Sequence, residues 1–157
     1  MQELKKLGMG FVHAIRGLGY AIATQRNMRI HLVAVCVVVI IGIIAHLSPV
    51  HWCLAMLCCG LVIALELVNT ALEEICNRIT EQEDVLIRHA KDASAGAVLI
   101  AAIGSVIVAV MILRSDPIYL AYISSVISSG IRPKVGLVID AVAAVLFIFV
   151  PSYGNRK

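Results

Sequence analysis

The stretch ELVNTALEE, residues 66–74, ends a long apolar run with polar side chains that could do chemistry. Glu66, Asn69 and Glu73 stand at positions i, i+3 and i+7, so a helix would place all three on one face. Two carboxylates and an amide could take a proton from an alcohol, bind a divalent cation or relay protons. A polar clamp between helices is the structural alternative. Because carboxylates are costly inside membrane helices, the stretch is a candidate functional site.

A second polar group, RHAKDASAG at residues 88–96, opens the next apolar run. Lys91 is a compact cation suited to phosphate, and Asp92 could cap the helix or hold the lysine. Alone the pair is weak evidence, since Lys and Asp flank most membrane helices. The chain contains no GxxxxGK[ST] loop and no HRD-type catalytic loop. This excludes a nucleotide site of the P-loop or protein-kinase kind.

The elements that position these residues are predicted to be membrane helices. The chain has 157 residues, 61% of them hydrophobic, with a mean hydropathy of +0.96. Continuous apolar runs such as VAVCVVVIIGIIA lack the alternation of barrel strands. The sequence therefore predicts an all-α integral membrane protein. An amphipathic surface helix at about 3–28 precedes three transmembrane helices at about 30–47, 52–76 and 93–113.

Charge predicts how the helices are oriented. The N-terminal segment carries five basic residues against one acidic residue: Lys5, Lys6, Arg16, Arg26 and Arg29 against Glu3. The turn after the first span is uncharged, so the positive-inside rule places the N-terminus in the cytoplasm. Glu66 would then lie at membrane depth near the cytoplasmic side. The basic segment favours anionic bilayer lipids over nucleic acid as its partner.

Residues 114–157 form a C-terminal extension whose topology the sequence leaves open. Residues 118–131 are too short to cross a bilayer easily. Residues 135–150 make a marginal fourth apolar helix that contains Asp140. Basic residues on both sides of this segment nearly cancel as orientation signals. We expect an extra C-terminal helix and assign it no function.

Three blocks carry a resemblance to a known family: QRNMRIHL (25–32), ELVNTALEEICNRIT (66–80) and HAKDASAGAVLIAAI (89–103). Their order and spacing resemble the prokaryotic diacylglycerol kinases, and most of all the Gram-positive undecaprenol kinase branch. The resemblance implies that residues 1–113 form a three-span kinase of the bacterial cytoplasmic membrane that acts as a homotrimer. Such a kinase would move the γ-phosphate of ATP, with Mg²⁺, to a lipid alcohol at the cytoplasmic face.

The resemblance also implies roles for individual residues. Glu66 matches the catalytic base, which would take the proton from the lipid hydroxyl. Asn69 matches an active-site amide that holds the polar network. Glu73 matches a metal-binding glutamate. Lys91 and Asp92 match the pair that contacts the nucleotide, with the lysine on phosphate. Phosphoryl transfer depends mainly on positioning and charge, which these groups can supply.

The chain departs from the family pattern at three places. Gln25 stands where a second metal-binding glutamate is common, so its contact with metal and nucleotide would be weaker. Asn77, also assigned to the nucleotide, stands where aspartate is usual. The loop EQEDVLIRH places Glu83 and Asp84 where an aromatic residue and a histidine are typical. These departures leave the number of metal ions and the nucleotide affinity open.

Lipid contacts and alternative functions complete the predictions. Trp52 is predicted to anchor the second span at the interface and to touch the lipid chain, and Arg16 to attract an anionic lipid or phosphate.

A proton- or ion-coupled transport subunit with Glu66 and Glu73 as a relay is the main alternative to the kinase. A relay has no need of Lys91. A catalytically silent scaffold is a third reading. The choice between undecaprenol and diacylglycerol stays open.

Overall fold

The chain folds into α-helices connected by short turns. The computed structural model describes residues 2–79 and 84–129, and positions 136, 140, 143, 144 and 147–149 of the C-terminal segment. The helices are α1 (Gln2–Thr24), α2 (Arg26–Ile44), α3 (Pro49–Ile79), α4 (Val85–Ser115) and α5 (Pro117–Ser128). The described residues include no strand. The predicted all-α fold is confirmed.

Three helices are long and apolar enough to cross a membrane, as predicted: α2, α3 and α4. We call the end of the bundle between α2 and α3 the turn end, and the opposite end, where α3 stops and α4 starts, the loop end. At 31 residues each, α3 and α4 are about 46 Å long, which exceeds the roughly 30 Å of hydrocarbon in a bilayer. Both helices therefore extend beyond the membrane.

The helices continue into the segment that the sequence assigned to a polar connection. The α3 helix runs to Ile79, and α4 already begins at Val85. Asp84 starts α4, because its carboxylate accepts hydrogen bonds from the backbone N–H groups of Leu86 at 2.8 Å and Ile87 at 3.1 Å. Residues 80–83, including Glu83, lie outside the described part. The polar residues of this segment indicate where the apolar spans end, but the helices themselves continue beyond those positions.

The surface helix also ends earlier than predicted. It stops at Thr24, and Gln25 adopts an extended conformation, with φ −102° and ψ 119°, before α2 begins. Met28 and Arg29 therefore belong to α2, and both are buried. The basic residues 26 and 29 favour an interfacial position for this segment, which is why the surface helix was predicted to continue through the turn. Most of α1 is exposed, and burial begins at Ala21.

The C-terminal extension packs on the turn end through α5. Tyr119 is buried in a small apolar cluster with Ala45 and Ile112. Its hydroxyl lies 2.9 Å from Nδ1 of His51. Most of the predicted helix at 135–150 lies outside the described residues, but the ring of Phe149 lies 4.7 Å from the guanidinium carbon of Arg26. The extension thus contacts α2 and α3 at the turn end. Its Phe149 also contacts Arg26, which is the first residue of α2.

Close packing at the turn end involves Gly42 and Trp52. A Cβ atom placed on Gly42 would lie 2.6 Å and 2.8 Å from two carbons of the Trp52 ring. Gly42 is therefore required by the close approach of the indole to α2. Trp52 precedes Glu66 by fourteen residues, about 21 Å along the helix. The structure places this predicted lipid contact against α2, far from the candidate site.

We predict that Gly42→Ala destabilises the protein by about 1–3 kcal/mol, because the added methyl group overlaps the indole. Unfolding in detergent micelles, followed by circular dichroism, measures the loss. Gly60→Ala on α3 is the matched control, since nothing lies within 4 Å of a Cβ placed there. Equal stability of the two variants would contradict the packing described for Trp52.

Candidate active site

The site is built on the face of α3 that the sequence singled out. Glu66, Asn69 and Thr70 are buried, with exposed fractions of 2%, 4% and 4%. Glu73, two turns further toward the loop end, is half-buried. The Thr70 hydroxyl donates to the backbone carbonyl of Glu66 at 2.9 Å. The Glu66 carboxylate itself is covered by the neighbouring helices.

Asn69 connects α3 to α4. Its side-chain amide donates to Oε1 of Glu73 at 3.2 Å, which fixes the two residues on the same face. Its carbonyl oxygen lies 2.6 Å from Oγ of Ser94 on α4. The same hydroxyl lies 2.8 Å from the backbone carbonyl of Lys91. The amide is thus held on both sides, and the predicted polar face lies between the two longest helices.

Lys91 and Asn77 meet nearer the loop end. The ammonium group of Lys91 donates to Oδ1 of Asn77 at 2.8 Å, and Asn77 is exposed. Asp92 follows Lys91 directly but is exposed, with no hydrogen bond or ion pair to the described residues. The structure therefore joins two of the predicted nucleotide residues and leaves Asp92 apart from them.

A cavity of about 250 Å³ opens beside Glu66, between α2, α3 and α4. Its polar lining comes from Asn27, His31, Glu66 and Asn69, and the remainder of the wall is apolar: Ile30, Ala95, Val98, Leu99 and Ala102. A second cavity of about 170 Å³ shares the wall residues His31 and Ala102 and is lined mostly by aliphatic side chains of the same three helices. A cavity with four polar residues in its wall therefore adjoins an almost wholly apolar one at the level of Glu66.

Several predicted site residues lie away from this chamber. Gln25 lies half-buried between α1 and α2, and its side chain makes no capping hydrogen bond. Arg16 is exposed on α1, and Trp52 lies at the turn end. None of the three lines the cavity beside Glu66. Trp52 lies too far along α3 to reach Glu66, and the roles assigned to Gln25 and Arg16 stay predictions.

The residues present fit a magnesium ion held jointly with phosphate. The described residues contain no cluster of three or more His, Cys, Asp or Glu side chains that could hold a metal alone. Mg²⁺ commonly takes one or two carboxylates together with substrate phosphates and water. The half-buried carboxylate of Glu73 matches that smaller requirement, and the ammonium group of Lys91 lies nearer the loop end, in contact with Asn77.

Glu74, the neighbour of Glu73, has a different partner. It accepts a hydrogen bond from the Tyr20 hydroxyl at 2.7 Å, and this contact ties α1 to α3. The hydrogen bond to the carboxylate raises the pKa of Tyr20, because it favours the protonated phenol. The two adjacent glutamates are thus distinguished by their contacts: Glu74 holds the surface helix, and Glu73 belongs to the polar face.

Ser94 and His31 are among the site residues that sequence reasoning missed. Ser94 shares a helix face with Lys91 and Val98, at i, i+3 and i+7, and that spacing could have indicated it. The sequence indicates an interfacial position for His31, because it follows a basic segment at the start of the first span. In the structure its Nε2 lies 4.0 Å from Oε2 of Glu66. No local pattern predicts this approach, which depends on how α2 packs against α3.

Fold and site together define a class of protein. It is a small helical membrane protein in which a buried carboxylate, Glu66, lines a cavity between the helices, and a lysine and a second carboxylate, Lys91 and Glu73, lie nearer the loop end. A sequence model described as prokaryotic diacylglycerol kinase matches residues 12–113. The chain belongs to the prokaryotic diacylglycerol kinase family. It is therefore a lipid kinase, and ATP is its phosphate donor. The predicted family is confirmed.

Two curated relatives show the extent of the similarity. The undecaprenol kinase of Bacillus subtilis is 40% identical over 110 residues, which cover 70% of this chain and 89% of that protein. The diacylglycerol kinase of Synechocystis is 42% identical over 108 residues, which cover 68% of this chain and 62% of that protein. No solved structure matches the chain.

We predict that Ser94→Ala lowers kcat about tenfold, because loss of the hydroxyl leaves the Asn69 carbonyl unpaired between two helices at a cost of about 1–3 kcal/mol. Phosphorylated lipid formed per minute measures the effect. Ser115→Ala is the control, since that hydroxyl bonds the carbonyl of Ile112 on its own helix. If Ser94→Ala were as active as Ser115→Ala, Asn69 would not depend on its contact with α4.

Proposed function

We propose that the protein transfers the γ-phosphate of MgATP to a lipid alcohol at the cytoplasmic membrane interface, with Glu66 as general base. The observation that carries this proposal is the buried Glu66 carboxylate, which lines a cavity with four polar wall residues that adjoins an apolar cavity. A lipid alcohol has the matching division into a hydroxyl group and a hydrocarbon chain. The family membership supplies the reaction class.

The lipid would bind with its hydroxyl in the polar cavity and its chain along the apolar one. Glu66 takes the hydroxyl proton as the oxygen attacks the γ-phosphorus. A new O–P bond forms, the bond between the γ-phosphorus and the bridging oxygen breaks, and ADP leaves with that electron pair. Asn69 holds Glu73 on the same face through the 3.2 Å hydrogen bond. Little covalent chemistry is required of the protein beyond this proton transfer.

The nucleotide would bind nearer the loop end. Lys91 is held by Asn77 and carries the positive charge that suits phosphate. Glu73 would hold Mg²⁺, which neutralises charge on the transferring phosphate. Asp92 is exposed one position further along, where it would contact the nucleotide at the surface. Gln25 would assist metal and nucleotide from the junction between α1 and α2.

The membrane and the side of the site follow from charge. The basic N-terminal segment supports a bacterial cytoplasmic membrane protein with its loop end in the cytoplasm, where ATP is found. Exposed Arg16 on α1 would attract anionic lipid at that surface. The homotrimer, with sites shared between subunits, rests on the family resemblance and stays a prediction. So does the kinase domain of residues 1–113.

We predict that Glu66→Gln lowers phosphate transfer by at least about 100-fold, because the amide accepts no proton. Purified protein in mixed micelles is given labelled MgATP and either undecaprenol or diacylglycerol, and labelled lipid is counted. Both lipids are tested side by side because the relatives are named for different substrates. Circular dichroism verifies that the variant is folded.

The outcomes of that assay separate the alternatives. Full activity of Glu66→Gln with both lipids would disprove the role of Glu66 as base. If the unaltered protein phosphorylates neither lipid but carries protons across vesicles, the transport reading with Glu66 and Glu73 as a relay is favoured. Product from one lipid alone identifies the substrate class.

We predict that Glu73→Gln raises the Mg²⁺ concentration needed for half-maximal activity by about tenfold or more, because a neutral amide binds the cation more weakly than a carboxylate. Titration of Mg²⁺ at saturating ATP measures the change. Glu74→Gln is the matched control, since its carboxylate is engaged by Tyr20. Equal Mg²⁺ dependence in both variants would contradict the assignment of Glu73.

A further inference from the structure

His31 and Glu66 approach each other across the polar cavity from different helices. Nε2 of His31 lies 4.0 Å from Oε2 of Glu66, and the side chains are 20% and 3% exposed. Both line the same cavity of about 250 Å³. The separation is longer than a hydrogen bond but within ion-pair range. Catalytic contacts are often this long before substrate binds and shorten in the reacting complex.

Asn69 and Thr70, which lie on the same helix as Glu66, make hydrogen bonds to other groups. The Asn69 amide donates to Glu73, and its carbonyl oxygen is paired with Ser94. The Thr70 hydroxyl donates to the backbone of Glu66, not to its carboxylate. None of these hydrogen bonds can remove a proton from the Glu66 side chain. The imidazole of His31 can, because a neutral imidazole nitrogen accepts a proton.

A general base must lose the proton it has taken before the next turnover. After transfer, the His31–Glu66 pair holds one extra proton, on either residue. Moving that proton from carboxyl to imidazole leaves the net charge of the pair unchanged, and the resulting carboxylate and imidazolium attract each other across 4.0 Å. It also returns Glu66 to its ionised form. From His31 the proton can pass to water.

Other charged side chains lie on the helices that carry this pair and on the helices packed against them. Arg29 is buried two positions before His31 on α2. Glu73 lies on the face of α3 that carries Glu66, and Glu74 on the same helix is bonded to Tyr20 of α1. Lys91 of α4 is bonded to Asn77. Any pH dependence assigned to His31 therefore has to be separated from these groups by substitution of His31 itself.

We propose that His31 acts through Glu66. It accepts the proton from Glu66 after each phosphoryl transfer and so regenerates the base. This inference rests on the proposed function of Glu66. The proton balance is complete: it leaves the lipid hydroxyl, resides on Glu66, passes to Nε2 of His31 and ends on water. His31 has to be neutral to receive it, so activity rises as the pH rises through the ionisation of the imidazole.

The experiment compares His31→Gln with His46→Gln. Glutamine retains hydrogen bonding but cannot carry the proton, so steady-state kcat falls about 100-fold, and both KM values fall with it because the slow step follows phosphoryl transfer; kcat/KM changes less than about twofold. The first turnover remains fast, and product forms as a burst of one per site before the slow phase. The variant also loses the acid-side inflection in the pH profile of kcat. His46, at the other end of α2, is exposed and contacts Tyr122, so His46→Gln retains the profile of the unaltered protein.

Double substitution separates failure of this inference from failure of the proposed function. If His31 acts through Glu66, adding His31→Gln to Glu66→Gln causes no further loss of the residual rate. A multiplicative loss, an absent burst or an unchanged pH profile in His31→Gln would overturn the role of His31 while leaving Glu66 as base. Full activity of Glu66→Gln would overturn both.

Discussion

A polar stripe on an apolar helix has to be covered, and the rest of the bundle depends on how this is done. Seven residues make almost two helical turns, so Glu66, Asn69 and Glu73 cannot avoid sharing one face of α3. In lipid that face would be costly. It is covered by α4, whose Ser94 contacts Asn69 at 2.6 Å, and by α2, which brings His31 within 4.0 Å of Glu66.

The two long helices also divide the site between lipid and water. Because α3 and α4 exceed the thickness of the hydrocarbon, one continuous pair of helices presents Glu66 at membrane depth and Lys91 with Asn77 near the exposed end. A lipid and a nucleotide can thus approach the same polar face from different phases. The surface helix α1 is attached near this face by the bond from Tyr20 to Glu74. Glu74, to which α1 is attached, is adjacent in sequence to Glu73, the proposed metal ligand.

Much of this could be predicted from sequence, because helical period and hydropathy are local properties. The three spans, the shared face of Glu66 and Glu73 and the family were all predicted. The end of α1 at Thr24 was missed, since basic residues suggested an interface where Arg29 is buried. His31 and Ser94 were missed because their roles depend on neighbouring helices. The contact of Trp52 with Gly42 depends equally on tertiary packing, which no spacing in a single segment reports.

The position of the candidate carboxylates on one uninterrupted helix sets a limit on how this protein can vary. Glu66 and Glu73 are separated by about 10 Å of rigid rise, fixed by residue count alone. Inserting or deleting one residue between them would rotate one carboxylate by about 100° and point it out of the bundle. A substitution between them leaves this separation unchanged, whereas a change in the length of the segment does not. Residue count along α3 therefore fixes the distance between the two proposed sites, the base and the metal ligand.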